Sequence, residues 1–444
     1  MKKKEGQEEL AIRIVKTLKE VGFVSYFAGG CVRDLIMKKP PKDYDIATTA
    51  TPEDIEKIFP KCVPVGKQFG VMIVVLGDIH FEVATFRSEG PYRDGRHPDD
   101  VSFTTPEEDA RRRDFTVNGL FYDPLTRHVV DYVQGKRDIR ERCIRTIGEP
   151  QERFMEDRLR LLRAIRFGAN LGFTIEDKTW RAIKNLRREI HTVSHERIRD
   201  ELIKMFTRPN AGHALLLLSE SGLLAEVLPE IEAMKGIKQP PEFHPEGDVF
   251  VHTKMLMDQL ENPSPTLAFG ALLHDVGKPQ TFSDEGRRIH FYNHPKVGAD
   301  IARQILTRLR FSNREIAEII SCVENHMKFA NVKEMRLGKL KQFVTRDNFL
   351  TELELHRIDC LASHGKLDLH KFLKQKLKEF EREGLKPKRL LTGDDLITVG
   401  IKPGPIMKEI LEEAYALQLE HKLTSHQETL DWVRKRFVKS NKSN

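Results

Sequence analysis

The sequence predicts an α+β head followed by helical domains, and three observations support this fold class. Short apolar runs bounded by turn residues alternate with helical patterns over the first 145 residues. After about residue 150, helical periodicity continues alone. Clusters of proline and glycine interrupt it near residues 207–211, 238–248 and 385–405. We therefore expect four domains, at residues 1–145, 146–235, 236–370 and 371–444.

Local patterns predict the elements of the head. The cap residue Thr51, followed by Pro52 and two acidic residues, starts a helix. Gly77 and Asp78 form the turn of a hairpin, and residues 87–106, rich in proline, glycine, aspartate and arginine, form a long loop. The other expected elements are a helix over 6–20 and strands over 24–28, 43–46, 71–76 and 80–85.

Composition indicates a globular protein without a membrane segment. Of the 444 residues, 39% are hydrophobic and 32% charged, and no run reaches the ~20 apolar residues that span a bilayer. The start of the chain is charged with no apolar run behind it, so we expect no signal peptide. The 5 cysteines are scattered, which argues against a disulfide framework and predicts a cytoplasmic location. The formal charge of +7 suits a polyanionic partner without requiring one.

Gly29 and Gly30 lie between the first strand and a helix. Glycines let the backbone approach a ligand closely, and the N-terminus of the following helix offers free N–H groups and a positive dipole end to a phosphate. A turn that only joins two elements explains this pair equally well.

Asp43 and Asp45 are two residues apart on a predicted strand, so both project from the same face. Two carboxylates held side by side repel each other unless a cation lies between them. Mg²⁺ takes few carboxylates together with phosphate oxygens and waters, and two such ions serve in-line phosphoryl transfer. The pattern predicts a magnesium site for this chemistry, with a polar strand end as the plain alternative.

These motifs resemble the head of the class II tRNA nucleotidyltransferases and bacterial poly(A) polymerases. The likeness covers at least residues 20–230, and Gly119, where the family usually has alanine, is a departure that we expect to be harmless. The motifs that carry it follow one another in the family's order, at residues 29–34, 42–48, 81–87, 112–118 and 156–163.

The resemblance implies a nucleotidyltransferase-type mixed sheet and assigns roles to residues of the head. Asp43 and Asp45 are the implied catalytic ligands of Mg²⁺, and Glu82 on a neighbouring strand is the candidate third carboxylate. A basic cluster followed by aspartate and asparagine suits an anionic nucleotide that carries hydroxyl groups. The implied nucleotide-binding residues of the head are Gly29, Gly30, Arg33, Arg113, Asp114 and Asn118.

A helical run predicted from Glu156 carries a candidate reader of the nucleobase. Asp157 and Arg160 are three residues apart, so we expect them on one helix face. Aspartate only accepts hydrogen bonds and arginine only donates them, so the pair fits the edges of cytosine and adenine and rejects uracil and guanine. The plain alternative is an ion pair on a helix surface. The family uses these positions to bind the nucleotide, and the resemblance extends this role to Arg163.

Two further segments of the head and neck have roles implied by the family. A loop at residues 87–106 switches specificity from C to A as the RNA end grows, and its apparent completeness here favours an enzyme able to add A. Residues 194–201 resemble the family's neck motif, which we interpret as structural support.

The second helical domain carries histidines and aspartates that suit a divalent transition metal such as Ni²⁺ or Mn²⁺. The segment around His274 and Asp275, at residues 272–278, resembles the HD phosphohydrolase superfamily. That resemblance implies His252, His274, Asp275 and Asp359 as the minimal ligand set. His294 and His326 match the extra pair of two-metal members, and we prefer His294 to its competitor His290.

The combined resemblances imply an enzyme that adds the 3′-terminal CCA to tRNA from CTP and ATP. In similar proteins with an intact HD domain, that domain has 2′,3′-cyclic phosphodiesterase and 2′-phosphatase activity. Alternatives are an enzyme that adds only A or only CC, a poly(A) polymerase, or an HD phosphohydrolase with a non-catalytic RNA-binding head. We expect a helical tail that contacts tRNA, and either a monomer or a dimer.

Overall fold

The computed structural model describes residues 6–90, 101–240, 246–284, 286, 289–383 and 388–438. The chain divides into two compact units, residues 1–232 and 233–444. Within the described residues, no helix has the length and apolar character needed to cross a bilayer.

The first unit begins with an α+β region, which confirms the predicted fold class of the head. Its helices are α1 Gln7–Glu20, α2 Gly30–Ile36, α3 Pro52–Ile58, α4 Pro106–Arg112 and α5 Gly135–Glu141. Its strands are β1 Ser25–Ala28, β2 Ile46–Thr48, β3 Cys62–Gly66, β4 Val71–Leu76, β5 Ile79–Thr85, β6 Arg87–Glu89, β7 Val101–Phe103, β8 Leu120–Asp123 and β9 His128–Asp131.

Seven of these strands form one mixed sheet in the order β3-β4-β5-β2-β1-β8-β9. The β2–β5 pair is parallel, with Ile46 opposite Val83, and the other neighbouring pairs are antiparallel. Phe86 and Phe121 are fully buried and pack edge to face, with ring centroids 5.3 Å apart, against Ala110 of α4. Helix α4 is thereby held against the sheet, which matters below because its last residue, Arg112, and the next residue, Arg113, belong to the candidate site.

Helices dominate the remainder of the first unit. Strands β10 Cys143–Ile144 and β11 Thr174–Ile175 form a short parallel pair. The helices are α6 Pro150–Glu156, α7 Arg160–Leu171, α8 Asp177–Leu186, α9 His195–Phe206, α10 Ala211–Ser221, α11 Leu223–Val227 and α12 Pro229–Glu232.

Among its described residues, the second unit is helical apart from one antiparallel ribbon, β12 Phe282–Asp284 with β13 Ile289–Phe291. Its helices are α13 Val249–Asp258, α14 Pro265–Leu273, α15 Lys278–Thr281, α16 His294–Arg308, α17 Asn313–Asn325, α18 Leu337–Val344, α19 Phe349–Ala362, α20 Asp368–Glu383, α21 Gly393–Thr398, α22 Pro405–Leu419 and α23 His426–Val433. Short 3₁₀ segments occupy Lys67–Phe69, Thr116–Asn118, Arg187–Thr192 and His326–Glu334, and Arg434–Val438 forms a π-helical turn.

Several predicted elements need correction. The second strand begins at Ile46, not at residue 43, because the ladder with β5 starts there. The predicted loop at 87–106 begins and ends in paired strands, β6 and β7, and its residues 91–100 lie outside the described residues. Strands also occur after residue 150, in the two short pairs, which are too brief for a period-two pattern to reveal.

Candidate active site and metal centre

A cavity of about 570 Å³ in the first unit collects most of the predicted nucleotide-binding residues. It lies between the sheet and helix α7, and its wall combines seven arginines with four carboxylates. The arginines are Arg33, Arg87, Arg112, Arg113, Arg160, Arg163 and Arg197, and the carboxylates are Asp45, Glu82, Asp114 and Asp157. So many guanidinium groups around one cavity suit a ligand with several negative charges.

The carboxylates predicted to hold metal are near the start of β2. Asp43 and Asp45 precede the strand, yet both are exposed while Tyr44 between them is buried, so the two carboxylates still share a side. Glu82 comes from β5, the parallel neighbour of β2. Asp45 and Glu82 line the cavity, and Asp43 is not among its lining residues.

The pKa of Asp45 reflects the closeness of the other two carboxylates. Asp45 keeps part of its surface exposed, yet the protein around it displaces water from the carboxyl group. This desolvation and the negative charges of Glu82 and Asp43 raise the pKa of Asp45 to about 6, against the opposing effect of Arg113. A carboxyl held among like charges is relieved when a cation binds. The donor set of hard oxygen atoms fits a divalent cation such as Mg²⁺.

Gly29 closes the cavity where β1 meets α2. Its φ of 72° is in the left-handed region, and a Cβ there would lie 3.1 Å from Nη1 of Arg113. Glycine is therefore required both by the backbone and by the close approach of the arginine. Gly29 and Gly30 both line the cavity.

A chain of hydrogen bonds connects four predicted nucleotide-binding side chains. Arg163 donates to Oδ2 of Asp114 from Nε at 2.8 Å and from Nη2 at 2.5 Å. Asn118 donates to Oδ1 of Asp114 at 3.3 Å and accepts from Nη1 of Arg33 at 2.9 Å. Burial would raise the pKa of Asp114, but Arg163 overcomes this and lowers it to about 2. Asp114 is thus ionised and orients Arg163 and Asn118, and Asn118 in turn holds Arg33.

Asp157 and Arg160 both line the cavity, but they are not on one helix as predicted. Helix α6 ends at Glu156, Asp157 is extended with φ −139° and ψ 105°, and α7 begins at Arg160. The backbone N–H of Leu159 donates to Oδ1 of Asp157 at 3.1 Å, so the aspartate side chain turns the chain between the two helices.

Asp157 and Arg160 do not bond each other's side chains, and each has another partner. Arg197 donates from Nη2 to both oxygens of Asp157, at 2.8 and 3.1 Å. Arg160 donates from Nη1 to Glu156 at 2.7 Å and to the carbonyl of Arg153 at 2.9 Å. The surface ion pair considered above is therefore not what these two residues form.

Sequence reasoning missed Arg197 and Asp109. Arg197 lies in the neck motif interpreted as support only, yet it lines the cavity. Asp109 on α4 is 1% exposed and accepts from the guanidinium groups of Arg112 and Arg113 through separate oxygens. The contacts of Asp109 could have been predicted, because Arg112 and Arg113 follow it by three and four residues.

The predicted HD residues converge in the second unit from several helices. Two groups of donors form around a shared carboxylate: Asp275 joins His252 and His274 in one group, and His294 and His326 in the other. Within each group the donor atoms lie within 4.8 Å of one another. Asp359 adjoins the first group, since its Oδ1 lies 3.0 Å from Nε2 of His252. His290 lies on β13 and stacks on Tyr292.

Three of these imidazoles are oriented in the same way. The Nδ1 atoms of His274, His294 and His326 each lie within 2.7–2.9 Å of the backbone carbonyl three residues earlier. Nδ1 therefore carries the proton, and the Nε2 lone pair faces the cluster, as in a histidine that ligates a metal. The buried Nε2 of His274 lies 3.1 Å from Oδ2 of Asp275 without the geometry of a hydrogen bond. An imidazole nitrogen and a carboxylate oxygen placed side by side in this way fit two ligands of one metal ion.

The charges of the cluster agree with a metal site. Burial lowers the pKa of His326 to about 3 and also lowers that of His294, so both imidazoles are neutral. Burial opposes protonation of His252 as well, but hydrogen bonds to Asp359 and Glu246 raise its pKa to about 9. A metal ion in the first group would require the neutral form of His252.

Three segments of the chain match models of known protein families. Residues 25–145 match the poly A polymerase head domain, and residues 248–362 match the HD domain. Residues 172–235 match a segment described as the probable RNA and SrmB-binding site of polymerase A. The first match contains three of the four carboxylates of the cavity, Asp45, Glu82 and Asp114, and the HD match contains all six predicted HD residues.

Similarity along nearly the whole chain decides the family. The CCA-adding enzyme of Anoxybacillus flavithermus is 30% identical over 428 residues, which cover 95% of this chain and 96% of that enzyme. The chain belongs to the CCA-adding enzyme family. The CCA-adding enzyme of Lactobacillus helveticus is 39% identical over 230 residues, 52% of this chain. That alignment and others of higher identity span about half of the relative's own length, 50–57%.

The fold agrees with a solved structure from the CCA-adding enzyme family. The Bacillus stearothermophilus CCA-adding enzyme, determined in complex with CTP, has a TM-score of 0.74 and 27% sequence identity to this chain. The match covers 99% of this chain and 100% of the solved one.

Gly119 is the one position singled out as a departure from the CCA-adding enzyme family, where alanine is usual. A Cβ at Gly119 would lie 2.7 Å from Cγ2 of Val133 and 2.9 Å from Cδ1 of Ile147. These neighbours occupy the space of the missing methyl group, which agrees with the expectation that the departure is harmless.

Proposed function

We propose that this chain completes the 3′ end of tRNA by adding C, C and A from CTP and ATP without a nucleic-acid template. The observation that carries the proposal is one cavity that contains Asp45 and Glu82, seven arginines, and the Asp157 and Arg160 side chains. Carboxylates for a metal, cations for a triphosphate and a donor–acceptor pair for a base are the three components that such a reaction requires.

The carboxylates and arginines of the head have separate tasks in this proposal. Asp43 and Asp45, assisted by Glu82, would hold Mg²⁺, which neutralises phosphate charge during an in-line transfer. Arg113 and Arg33 bind the triphosphate through charge-assisted hydrogen bonds. Their orientation is set before the nucleotide arrives, because buried Asp109 holds the first and Asn118 accepts from the second.

Asn118 and the neck residues position the sugar and the base. Asn118, already oriented by Asp114, offers an amide to the ribose hydroxyls. Asp157 retains acceptor capacity beside its bond to Arg197, since a carboxylate has about four lone-pair sites. It accepts from the amino group of C or A, while Arg160 donates to the ring acceptor of the same edge. Arg163 bonds Asp114, which in turn orients Asn118.

For the second unit we propose a metal-dependent phosphohydrolase acting on 2′,3′-cyclic and 2′-phosphate ends of RNA. The two donor groups that share Asp275 support this. Their imidazole-rich composition suits Ni²⁺ or Mn²⁺ better than Mg²⁺, and such an ion supplies Lewis-acid polarisation of a phosphoryl oxygen. Lys278 lies 2.7 Å from Asp275 and adds a positive charge next to the site.

The same proposal assigns the four regions of the chain. Residues 1–145 form the catalytic head, 146–235 the base-reading neck, 236–370 the HD domain and 371–444 a tail that contacts tRNA. The proposed activity on tRNA and the five cysteines, all of which are free, support a cytoplasmic enzyme.

The test uses three tRNAs, ending before the first C, before the second C and before the terminal A. Purified protein is incubated with each tRNA and with CTP, ATP, UTP or GTP, singly and in combination, and the products are sized on a gel. The proposal requires CTP to extend the first two and ATP the third. Extension of the third tRNA alone would indicate an enzyme that adds only A. A halt before A would indicate one that adds only CC, and an open-ended ladder with ATP a poly(A) polymerase.

A further inference from the structure

A buried carboxylate outside the metal ligands lies within the HD region. Glu352 on α19 is 1% exposed. Its Oε1 accepts from Nδ2 of Asn325 at 2.9 Å and from the hydroxyl of Ser321, and its Oε2 accepts from Nη2 of Arg346. A charge buried this deeply is costly unless it is paired and hydrogen-bonded. Both oxygens of Glu352 meet that requirement, and none of the ligand roles assigned above accounts for the charge.

Asn325 connects this carboxylate to a candidate ligand. It is the last residue of α17, directly before His326, and is 6% exposed. Its side-chain nitrogen bonds Glu352, and its side-chain oxygen accepts from Nζ of Lys328 at 2.7 Å. The amide therefore fixes the chain on both sides of His326. A loss of the Glu352 bond would free the end of α17 just where the imidazole is attached.

Glu352 also connects the two donor groups. It shares α19 with Asp359, seven residues further along, and residues two turns apart lie on the same face of a helix. Asp359 contacts His252 of the first group, whereas His326 belongs to the second. The Glu352–Asn325 bond thus sets the position of the second group relative to the helix that supports the first.

We propose that Glu352, acting through Asn325, is a positioning residue that holds His326 in place for the second metal ion. The inference rests on the proposed metal centre of the HD region. Nε2 of His326 lies 3.1 Å from Nε2 of His294 and 3.7 Å from Oδ1 of Asp275. A metal site tolerates ligand displacements of only about 0.2 Å, so a small shift of the helix end is enough to weaken binding.

Glu352→Gln removes the charge and disrupts the set of bonds that the carboxylate accepts. One oxygen becomes an NH₂ group, so the side chain can no longer accept from both Asn325 and Arg346. Arg346 keeps its contact with the ring of Phe343, 4.2 Å from the centroid, and it lines a cavity of about 410 Å³ that is open to water. Asn325→Ala serves as a second variant, because it breaks the connection while leaving Glu352 paired with Arg346.

The experiment is calorimetric titration of the whole chain with Mn²⁺. Every protein in the series carries Asp43→Asn and Asp45→Asn, so that the head does not contribute. The matched control is Glu354→Gln, the same change on the same helix in an ion pair with Arg357 at the surface. We expect two ions with unchanged affinity in the parent and the control. In Glu352→Gln and Asn325→Ala, we expect one ion unchanged and the other bound about 10- to 100-fold more weakly, the usual loss for a residue that supports a ligand.

Other outcomes overturn the inference. Two ions bound with parental affinity in both variants would exclude a positioning role. Equal weakening of both ions, with a lowered melting temperature of the metal-free protein, would assign Glu352 to folding alone. Failure of the parent to bind Mn²⁺ at all would refute the metal centre itself, and this result is recognisable before any variant is made.

Discussion

Arg197 and Asp157 form an ion pair in the wall of the cavity, at the proposed base-reading site. Nη2 of Arg197 lies 2.8 Å from one carboxylate oxygen of Asp157 and 3.1 Å from the other. The N–H of Leu159 occupies a further position on the same carboxylate. Asp157 is therefore oriented before a nucleotide enters, which is how preorganised sites gain selectivity.

Replacing Arg197 by methionine should weaken base selection. Without its donor, Asp157 loses one charge-assisted hydrogen bond, worth about 1.5–3 kcal/mol, and swings away from the edge of the base. We expect kcat/KM for CTP to fall and the ratio of CTP to UTP use to drop roughly tenfold. The matched control is Arg199→Met on the same helix, whose partner Asp200 is exposed. Equal CTP-to-UTP ratios in both variants and the wild type would leave Arg197 without a role in selection.

Asp45→Asn should abolish nucleotide addition and leave hydrolysis by the HD region intact. The amide keeps the shape of the side chain but removes the negative charge that a divalent cation requires. Asp78→Asn, the same change in the exposed turn between β4 and β5, is the control and should add nucleotides normally. Extension assays on tRNA lacking CCA measure both. Addition by Asp45→Asn at more than a few per cent of the control would remove Asp45 from catalysis.

Asp114→Asn should change how stability depends on pH. The pKa of Asp114 is lowered to about 2 by Arg163, against burial, whereas an unfolded aspartate has a pKa near 3.9. The folded state therefore loses this stabilisation as the pH falls from about 4 to about 2, since the unfolded state takes up the proton first. We therefore expect the free energy of unfolding of the first unit, measured with denaturant from pH 5 downwards, to fall less steeply with decreasing pH in the variant. Identical slopes would contradict the depressed pKa.

The pair His274→Ala and Asp275→Ala should abolish metal-dependent hydrolysis of 2′,3′-cyclic nucleotides and spare CCA addition. Asp275 is shared by both donor groups, so its loss disables each of them. His290→Ala removes a nearby histidine that stacks on Tyr292 instead and should retain hydrolysis. Activities are measured with Ni²⁺, Mn²⁺, Co²⁺ and Mg²⁺ in turn. Absence of hydrolysis by the wild type with all four ions would make the HD region structural.

The sequence was sufficient for the fold class because its signals are local. Short apolar runs joined by a Gly77–Asp78 turn revealed β4 and β5, and the Thr51 cap revealed α3, whose capping hydrogen bonds are formed as expected. The spacing of HD residues also predicted a cluster, since helices α14, α16, α17 and α19 could bring distant histidines together. Local signals could not predict which residue each side chain contacts.

The break between α6 and α7 shows that limit. The sequence predicts a helical run from Glu156, so Asp157 and Arg160 were expected on one face. The helix ends because Asp157 bonds the N–H of Leu159 and because Arg197, 40 residues later, holds its carboxylate. Aspartate commonly captures a backbone N–H two residues on, a signal that was present. The contact with Arg197 depends on tertiary packing, so the local sequence held no signal for it.

The most direct test of template-free base choice is kcat/KM for all four nucleoside triphosphates with Asp157→Ala, on tRNA lacking CCA. Loss of this acceptor leaves the amino group of C or A unpaired, a cost of about 1–3 kcal/mol, or roughly 5- to 150-fold. We expect kcat/KM for CTP and ATP to fall by that factor and rejection of UTP and GTP to weaken. A variant that keeps the wild-type preference for C over U would contradict the claim that this side chain reads the base.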